Sequence, residues 1–164
     1  YKMKRLLVFV LILVASNITF SQSKKMSSKN NLNGNNISLN LGSVLIANGV
    51  GLKYERLIPR KKVYYTLIGG VHFYHVNFFG VENHLTMYFS NGLITGINKE
   101  KHFEASLGLG WEQVQYPNAS RSNYNTYIPA VNIGYRFQKP NESFVFRCGV
   151  GLPELIYFGF GRAF

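Results

Sequence analysis

The sequence has very little cysteine and no aspartate. Its single cysteine, Cys148, cannot form an internal disulfide framework, and it lies too far from the N-terminus for lipidation through an N-terminal cysteine. All seven acidic residues are glutamates, against 18 lysines and arginines. The formal net charge is +11, a balance that favours anionic partners.

The sequence also lacks an apolar run of the roughly 20 residues that a membrane-spanning helix needs. The run Leu6–Ala15 is much shorter, follows a basic start and precedes small residues, which is typical of a secretory signal peptide. We therefore expect residues 1–21 to be a cleaved signal peptide, with residues 1–2 lying before the initiator Met3 and not translated. A retained membrane anchor is the alternative, and the short apolar run disfavours it.

Export limits the partners that a basic chain can have. An exported protein rarely meets nucleic acid, so we expect no nucleic-acid partner and favour anionic lipid headgroups as the counter-charge. After the signal peptide, residues 22–36 are polar, low in complexity and free of aromatics. Such a segment buries too little to offset the entropy of ordering, which predicts a flexible leader.

From Ile37 onward no run has helical periodicity, and turn clusters separate segments in which apolar and small or polar residues alternate. This pattern predicts one domain of eight β-strands over residues 37–164. The predicted strands are 37–46, 49–58, 63–76, 85–97, 102–115, 126–138, 144–152 and 155–164.

The connections between these strands alternate in kind. Three of them, 59–62, 98–101 and 139–143, are short and mostly basic or polar, whereas 77–84 and 116–125 are the longest. A transmembrane barrel has this arrangement, with tight periplasmic turns and longer external loops. We expect the basic end to face the periplasm, where it could contact phospholipid headgroups. Simple solvation of the turns explains the same charges equally well.

Side-chain size distinguishes the two faces of the strands. In the sixth strand the bulky residues occupy one set of alternate positions: Tyr127, Pro129, Val131, Ile133, Tyr135 and Phe137. The other set is smaller or charged: Ile128, Ala130, Asn132, Gly134 and Arg136. Alternation alone also suits a soluble sandwich or a lipocalin-like barrel. A narrow closed barrel in lipid, however, needs small residues inside and offers bulky ones outside. The sequence therefore predicts an all-β, eight-stranded, antiparallel up-and-down transmembrane barrel.

Four stretches carry a resemblance to a known group: "KYER", "KHFEASLGLGWE", "NIGYRFQKPNESFVFRCGVG" and the terminal aromatic residue. The chain resembles the small outer-membrane β-barrel proteins of Gram-negative bacteria over residues 37–164. The resemblance implies an outer-membrane location, contact with outer-membrane lipids, and Phe160 and Phe164 as a signal for the barrel-assembly machinery. Arg162 departs from the group's pattern, because that position is usually apolar or aromatic.

The alternation also predicts which charged residues enter the barrel. They are Lys53, Glu55, Glu104, Glu112, Arg136 and Arg147. An eight-stranded interior is only wide enough for side chains, so these groups should form a paired, hydrogen-bonded plug. A salt-bridged structural core is favoured over a polar path or a catalytic cluster, because buried charges must be paired in either case.

No catalytic or cofactor-binding constellation rises above background. Ser106 lies roughly 13 Å along an extended strand from His102, too far for a hydrogen-bonded pair. The glycine-rich stretches lie within strands, so no phosphate-binding loop is present and we expect no metal or cofactor. The preferred function is a non-enzymatic structural or surface-interaction barrel, and a lipid A or phospholipid-modifying enzyme is the alternative, with His102 and Glu104 or His72 and Tyr74 as its candidates. The external contact residues are expected to be Phe78, Phe79, Arg121 and Tyr124.

Overall fold

The computed structural model describes residues 32–44, 47–77, 81–96, 99–117 and 122–164. The described chain forms eight β-strands. They are β1 Asn35–Val44, β2 Ala47–Pro59, β3 Val63–Val76, β4 Glu82–Thr95, β5 Lys101–Gln115, β6 Tyr124–Phe137, β7 Phe144–Leu152 and β8 Leu155–Ala163. These described ranges contain no helix long and apolar enough to cross a membrane.

Each strand pairs antiparallel with the next, and β8 pairs with β1 to close the barrel. The closing register places Ile37 opposite Arg162 and Leu41 opposite Phe158. Below these pairs, the backbone of Asn35 exchanges two hydrogen bonds with Phe164, of 3.1 and 2.9 Å. The last residue of the chain therefore takes part in the closure, which leaves no open edge between β8 and β1.

The faces of the strands divide as the alternation predicts. Along β1 the even-numbered Asn36, Ser38 and Asn40 are buried, whereas Ile37 and Leu39 are exposed. A strand turns successive side chains to opposite faces, so one set fills the interior and the other forms the outer surface. Glycines on the inner face allow large side chains to lie close to the wall. A Cβ on Gly51, for example, would clash with the His72 ring.

The predicted eight-stranded, antiparallel up-and-down barrel is confirmed. The predicted strand bounds differ from the observed ones by three residues or fewer. The largest structural difference lies at the start, where residues 32–36 of the predicted leader are described as part of the fold. Asn35 and Asn36 belong to β1, and Leu32 is buried. The signal peptide and the remainder of the leader, residues 1–31, lie outside the described residues.

The two ends of the barrel differ in their connections. The end we call the basic rim carries the start of β1, the end of β8 and the turns 60–62, 96–100 and 138–143. The opposite end, which we call the loop rim, carries the connections 45–46, 77–81, 116–123 and 153–154. All three turns of the basic rim contain lysine, and the β2–β3 turn begins with Arg60.

Candidate functional site

The outer surface of the barrel is apolar. Leu107 and Leu109 on β5 are 66% and 69% exposed, and Tyr127 on β6 is 80% exposed. Exposed bulky apolar side chains occur on the outer faces of all eight strands: Ile37, Leu39, Leu41, Val50, Leu52, Val71, Phe73, Phe89, Leu93, Phe103, Ile133, Phe144, Val150, Ile156, Phe158 and Phe160. A monomeric soluble protein rarely exposes a continuous apolar patch of more than a few hundred Å². The surface is instead suited to a hydrocarbon solvent.

The interior is polar, and Glu104 of β5 lies at its centre. Its Oε1 accepts hydrogen bonds from Arg147 Nε at 2.7 Å and from the Tyr157 hydroxyl at 3.0 Å, and a second close contact comes from Arg147 Nη2. Its Oε2 accepts from Arg136 Nε at 3.0 Å. Two guanidinium groups and a phenol thus surround one fully buried carboxylate, so its charge is compensated without water.

A second carboxylate extends this cluster to the opposite wall. Glu55 of β2 forms a close ion pair with Arg136 Nη2, and its Oε2 lies 3.9 Å from Arg147 Nη1. Asn36 of β1 donates to the same oxygen at 3.4 Å, and Gln138 accepts from Arg136 Nη1 at 3.0 Å. We call Glu55, Glu104, Arg136, Arg147 and Tyr157 the central cluster. Its members come from β2, β5, β6, β7 and β8, so it ties the walls together across the lumen.

Lys53 is also buried, close to the central cluster but outside its ion pairs. Its Nζ lies 5.7 Å from the centroid of the Tyr157 ring, within cation–π range. Among the described residues, three buried cations, from Lys53, Arg136 and Arg147, lie near three buried carboxylates, from Glu55, Glu104 and Glu154. This balance reduces the cost of burying each charge.

A small cluster of apolar side chains is buried in the lumen near the basic rim. Leu32 packs with Leu57, Tyr64 and Ile94, and its backbone N–H donates to the Tyr64 hydroxyl at 3.1 Å. The segment before β1 therefore places Leu32 inside the basic-rim end of the lumen. An apolar residue within an otherwise polar stretch was the sequence signal for this contact.

His102 lies near the same end and contacts backbone carbonyls. Its Nδ1 lies 2.7 Å from the Thr95 carbonyl and its Nε2 lies 3.2 Å from the Gln138 carbonyl. Both ring nitrogens are engaged by the backbone of neighbouring turns. The candidate pair of His102 and Glu104 is thus not formed, and a role for His102 in holding two turns together accounts for its burial.

The β7–β8 turn folds into the lumen at the loop rim. Both turn residues, Pro153 and Glu154, are buried. The Glu154 Oε1 accepts from Asn40 Nδ2 at 2.7 Å and from the Tyr88 hydroxyl at 3.1 Å. A Cβ on Gly42 would lie 2.7 Å from the Glu154 carbonyl oxygen, so this wall must carry a glycine to admit the turn.

Glu112 lies in a separate group at the mouth of the loop rim, and not with the central cluster. It receives a short hydrogen bond from the Tyr74 hydroxyl, and its Oε1 lies 3.3 Å from His84 Nδ1. The other ring nitrogen of His84 lies 3.2 Å from Glu82. We call Tyr74, Glu82, His84 and Glu112 the mouth cluster. Its rings are stacked, with Tyr74 and His84 centroids 4.4 Å apart.

His72 continues this stack inward, with its ring 5.6 Å from Tyr74. The ring is 1% exposed, and neither nitrogen has a hydrogen-bond partner among the described residues. The candidate pair of His72 and Tyr74 is therefore a ring contact, and the Tyr74 hydroxyl is directed at Glu112 instead. Within the described ranges no three histidine, cysteine or glutamate side chains are arranged to hold a metal ion.

The predicted surface residues occupy different settings. Phe160 and Phe164 are 48% and 50% exposed on the outer face near the basic rim. Tyr124 begins β6 at the loop rim, with its ring 6.3 Å from Tyr116. The predicted contacts Phe78, Phe79 and Arg121 lie outside the described residues.

Besides Leu32 and Asn36, sequence reasoning did not single out the interior residues Gln138, Glu154 and Tyr157. Tyr157 shares the inner face of β8 with Gly159 and Gly161, so its place could have been found from alternation. Gln138 ends the inner face of β6 in the same way. Glu154 lies in a two-residue turn, where alternation gives no direction.

Comparison with known proteins identifies this fold. No family model matches the chain, and no curated protein matches its sequence. Among solved structures, the N-terminal β-barrel domain of Pseudomonas aeruginosa OprF is similar at 11% identity and a TM-score of 0.56, with 81% of this chain and 98% of that domain covered. The Yersinia pestis outer membrane protein Ail, solved in a phospholipid bilayer nanodisc, is similar at 16% identity and a TM-score of 0.54, with 80% and 99% covered. At these identities the likeness shows the fold, and the fold is that of a small outer-membrane barrel.

Proposed function

We propose that this protein is a non-enzymatic outer-membrane β-barrel with a plugged polar lumen, acting structurally or through its external loops. The observation that carries the proposal is the inverted surface, in which leucines and aromatics face outward while Glu104, Arg136 and Arg147 are buried. Only a hydrocarbon environment makes this distribution favourable on both faces. The outer-membrane fold of the structural neighbours supports the same location.

The orientation we propose places the basic rim in the periplasm. Barrels of this class have short periplasmic turns and longer external loops. The connection 116–123 at the loop rim is the longest of the barrel, whereas 77–81 is as long as the basic-rim turn 96–100 and one residue shorter than 138–143. The loop rim would then face the cell exterior and present Tyr124 with the predicted contacts Phe78, Phe79 and Arg121.

Three successive obstructions support a plugged lumen. Leu32 and its apolar neighbours occupy the periplasmic end, the central cluster spans the middle, and the β7–β8 turn enters from the external end. An ion crossing the barrel would have to displace paired, buried charges, which is costly. We therefore propose that the charges of the lumen stabilise the barrel and do not conduct.

Purified protein in planar bilayers tests the plug. The expected result is no stable conductance step from wild type, and a step only when Glu104 and Glu154 are both replaced by alanine. A steady wild-type conductance would contradict the plug while leaving the location intact.

The external loops can be tested independently of the lumen. Replacing 77–81 and 116–123 with short turns should leave a folded barrel, because loops outside the membrane tolerate change, and should abolish whatever surface binding the protein has. The strand residues Glu82, His84 and Tyr124 must be kept in these variants. Binding that persists after both replacements would exclude the loops as the contact surface.

Mass spectrometry of lipid A and phospholipids, from cells with and without the protein, tests the enzymatic alternative. The proposal expects unchanged acyl patterns. A change that wild type restores and His72→Ala does not would replace this proposal with a lipid-modifying activity.

A further inference from the structure

The cations outside the lumen are concentrated at the basic rim. The described chain has eight of them there: Arg56, Arg60, Lys61, Lys62, Lys99, Lys101, Lys139 and Arg162. Only two acidic residues, Glu100 and Glu142, lie in the same region. Of the eight cations, Lys139 alone forms an ion pair within the described ranges, with Glu142 at 3.5 Å. The rim therefore carries a large excess of uncompensated positive charge.

Three of these cations differ from the others because they stand on strands and not in turns. Arg56, Lys101 and Arg162 occupy outward-facing positions of β2, β5 and β8. The next outward residue of β5 is Phe103, which is 53% exposed, and that of β8 is Phe160. A charge placed one outward position below an apolar belt lies at the headgroup level of a bilayer, while turn residues reach into water.

The two strand-borne arginines flank the closure of the barrel. In the pairing register, Ile37 of β1 lies between Tyr54 of β2 and Arg162 of β8, and Arg56 lies opposite Asn35. With neighbouring strands about 4.8 Å apart, the two arginine backbones are roughly 10–12 Å from each other, which two long side chains can bridge. Arg162 is also the residue that departs from the usual terminal pattern of such barrels.

We propose that the outer surface of the β8–β1 closure binds an anionic glycerophospholipid from the inner leaflet of the outer membrane. The guanidinium groups of Arg56 and Arg162 hold its phosphate. Guanidinium groups donate in a fork that matches phosphate oxygens, and two of them compensate a full negative charge. The acyl chains would lie against the exposed Ile37, Phe144 and Phe160, since Phe144 pairs with Arg162 in the register. This apolar contact is what favours a lipid over free phosphate.

The inference rests on the proposed membrane location, so its test separates the two. Protein is refolded in neutral detergent micelles, folding is verified by the mobility difference between unheated and boiled samples, and retained lipids are counted by native mass spectrometry. The probes are phosphatidylglycerol and phosphatidylcholine, which share a phosphate but differ in net charge. A chain that never folds in micelles would contradict the proposed membrane location. A folded chain without lipid preference would contradict only the proposed lipid binding.

The variants distinguish a defined site from a diffuse charge effect. R56Q/R162Q removes both arginines of the closure, and K99Q/K101Q removes the same number of charges on the opposite wall of the same rim. We expect wild type and K99Q/K101Q to retain phosphatidylglycerol in preference to phosphatidylcholine. In R56Q/R162Q we expect this preference, measured as the ratio of the two retained lipids, to fall roughly tenfold. Equal loss in both variants, no preference in wild type, or displacement of the lipid by excess inorganic phosphate would each overturn the proposal. So would co-sedimentation of the folded protein with peptidoglycan that R56Q/R162Q abolishes, because the rim would then serve the cell wall.

Discussion

The central cluster and the mouth cluster use different chemistry to hold carboxylates inside one barrel. In the middle, Glu104 is almost fully buried and is compensated by two arginines. At the mouth, Glu112 relies on Tyr74 and His84, and the side chains of Glu112 and His84 are 8% and 11% exposed. Arginine keeps its charge wherever it is placed, so it suits the region that water cannot reach. Weaker partners such as Tyr74 and His84 suffice at the mouth, where water can also solvate the Glu112 carboxylate.

Glu104→Ala should have the largest effect, because it leaves Arg136 and Arg147 short of an acceptor in the buried middle of the lumen. Removing one member of a buried ion pair costs about 3–5 kcal/mol. We expect a loss of that size in the free energy of unfolding, measured by urea titration of the protein in lipid vesicles.

Glu142→Ala is the matched control, because Glu142 lies in an exposed turn and its ion pair with Lys139 is on the surface. Exposed pairs contribute about 0–1 kcal/mol. Equal stability of the two variants would mean that the central cluster contributes no more than a surface pair, which contradicts the account.

Glu112→Ala should cost less, on the order of 2 kcal/mol. It removes the carboxylate that accepts from the Tyr74 hydroxyl and, at 3.4 Å, from the Thr86 hydroxyl and that contacts His84, and water can partly replace these contacts. The same titration measures it. A loss as large as that of Glu104→Ala would mean that the mouth is as dry as the middle, and the distinction between the two clusters would fail.

Tyr157→Phe tests the contribution of a single hydrogen bond within the central cluster. The ring remains, but the hydroxyl that donates to Glu104 at 3.0 Å is lost. A hydrogen bond to a charged group contributes about 1.5 kcal/mol or more. The control is Tyr65→Phe, which removes an exposed 2.9 Å hydrogen bond to Asn91. We expect a measurable loss for Tyr157→Phe and almost none for the control, and the reverse order would contradict the burial argument.

Phe164→Ala should have the smallest effect on stability, at most about 1 kcal/mol, because the ring is half exposed on the outer face. If Phe164 is the assembly signal, the level of protein in the outer membrane of cells should fall while purified protein still refolds in detergent. Phe158→Ala, with 52% exposure on the same strand, is the control. Equal cellular levels of the two variants would remove the special role of the terminal residue.

The fold could be predicted because one physical rule acts along every strand. In β6, bulky apolar residues alternate with smaller or charged ones without a break from Tyr127 to Phe137, and the two sets fall on the two faces that the pattern predicts. For the same reason, the predicted bounds of β3, β5 and β7 agree with the observed bounds to within one residue. The start of β1 was harder, because Asn35 and Asn36 continue a polar stretch, although both pair with β2, opposite Arg56 and Glu55.

The arrangement of the interior was less accessible to sequence reasoning. Alternation places Glu104 and Glu112 on the same inner face, but eight residues of strand separate them by about 27 Å, so they cannot share partners. Counting that rise would have divided the predicted network in two. No periodic pattern predicts that Glu154 turns into the lumen. Its position depends on the space beside Gly42 and on the hydrogen-bond donors of Asn40 and Tyr88.

The central claim is that these residues form a closed barrel whose apolar face lies in the outer membrane. Its most direct test is to isolate the outer-membrane fraction and compare the gel mobility of the protein in unheated and boiled detergent samples. The account predicts recovery in that fraction and a change in mobility that appears only on boiling, because a closed barrel resists detergent until heat opens it. Recovery of the mature chain as a soluble protein without detergent, or identical mobility before and after boiling, would contradict it.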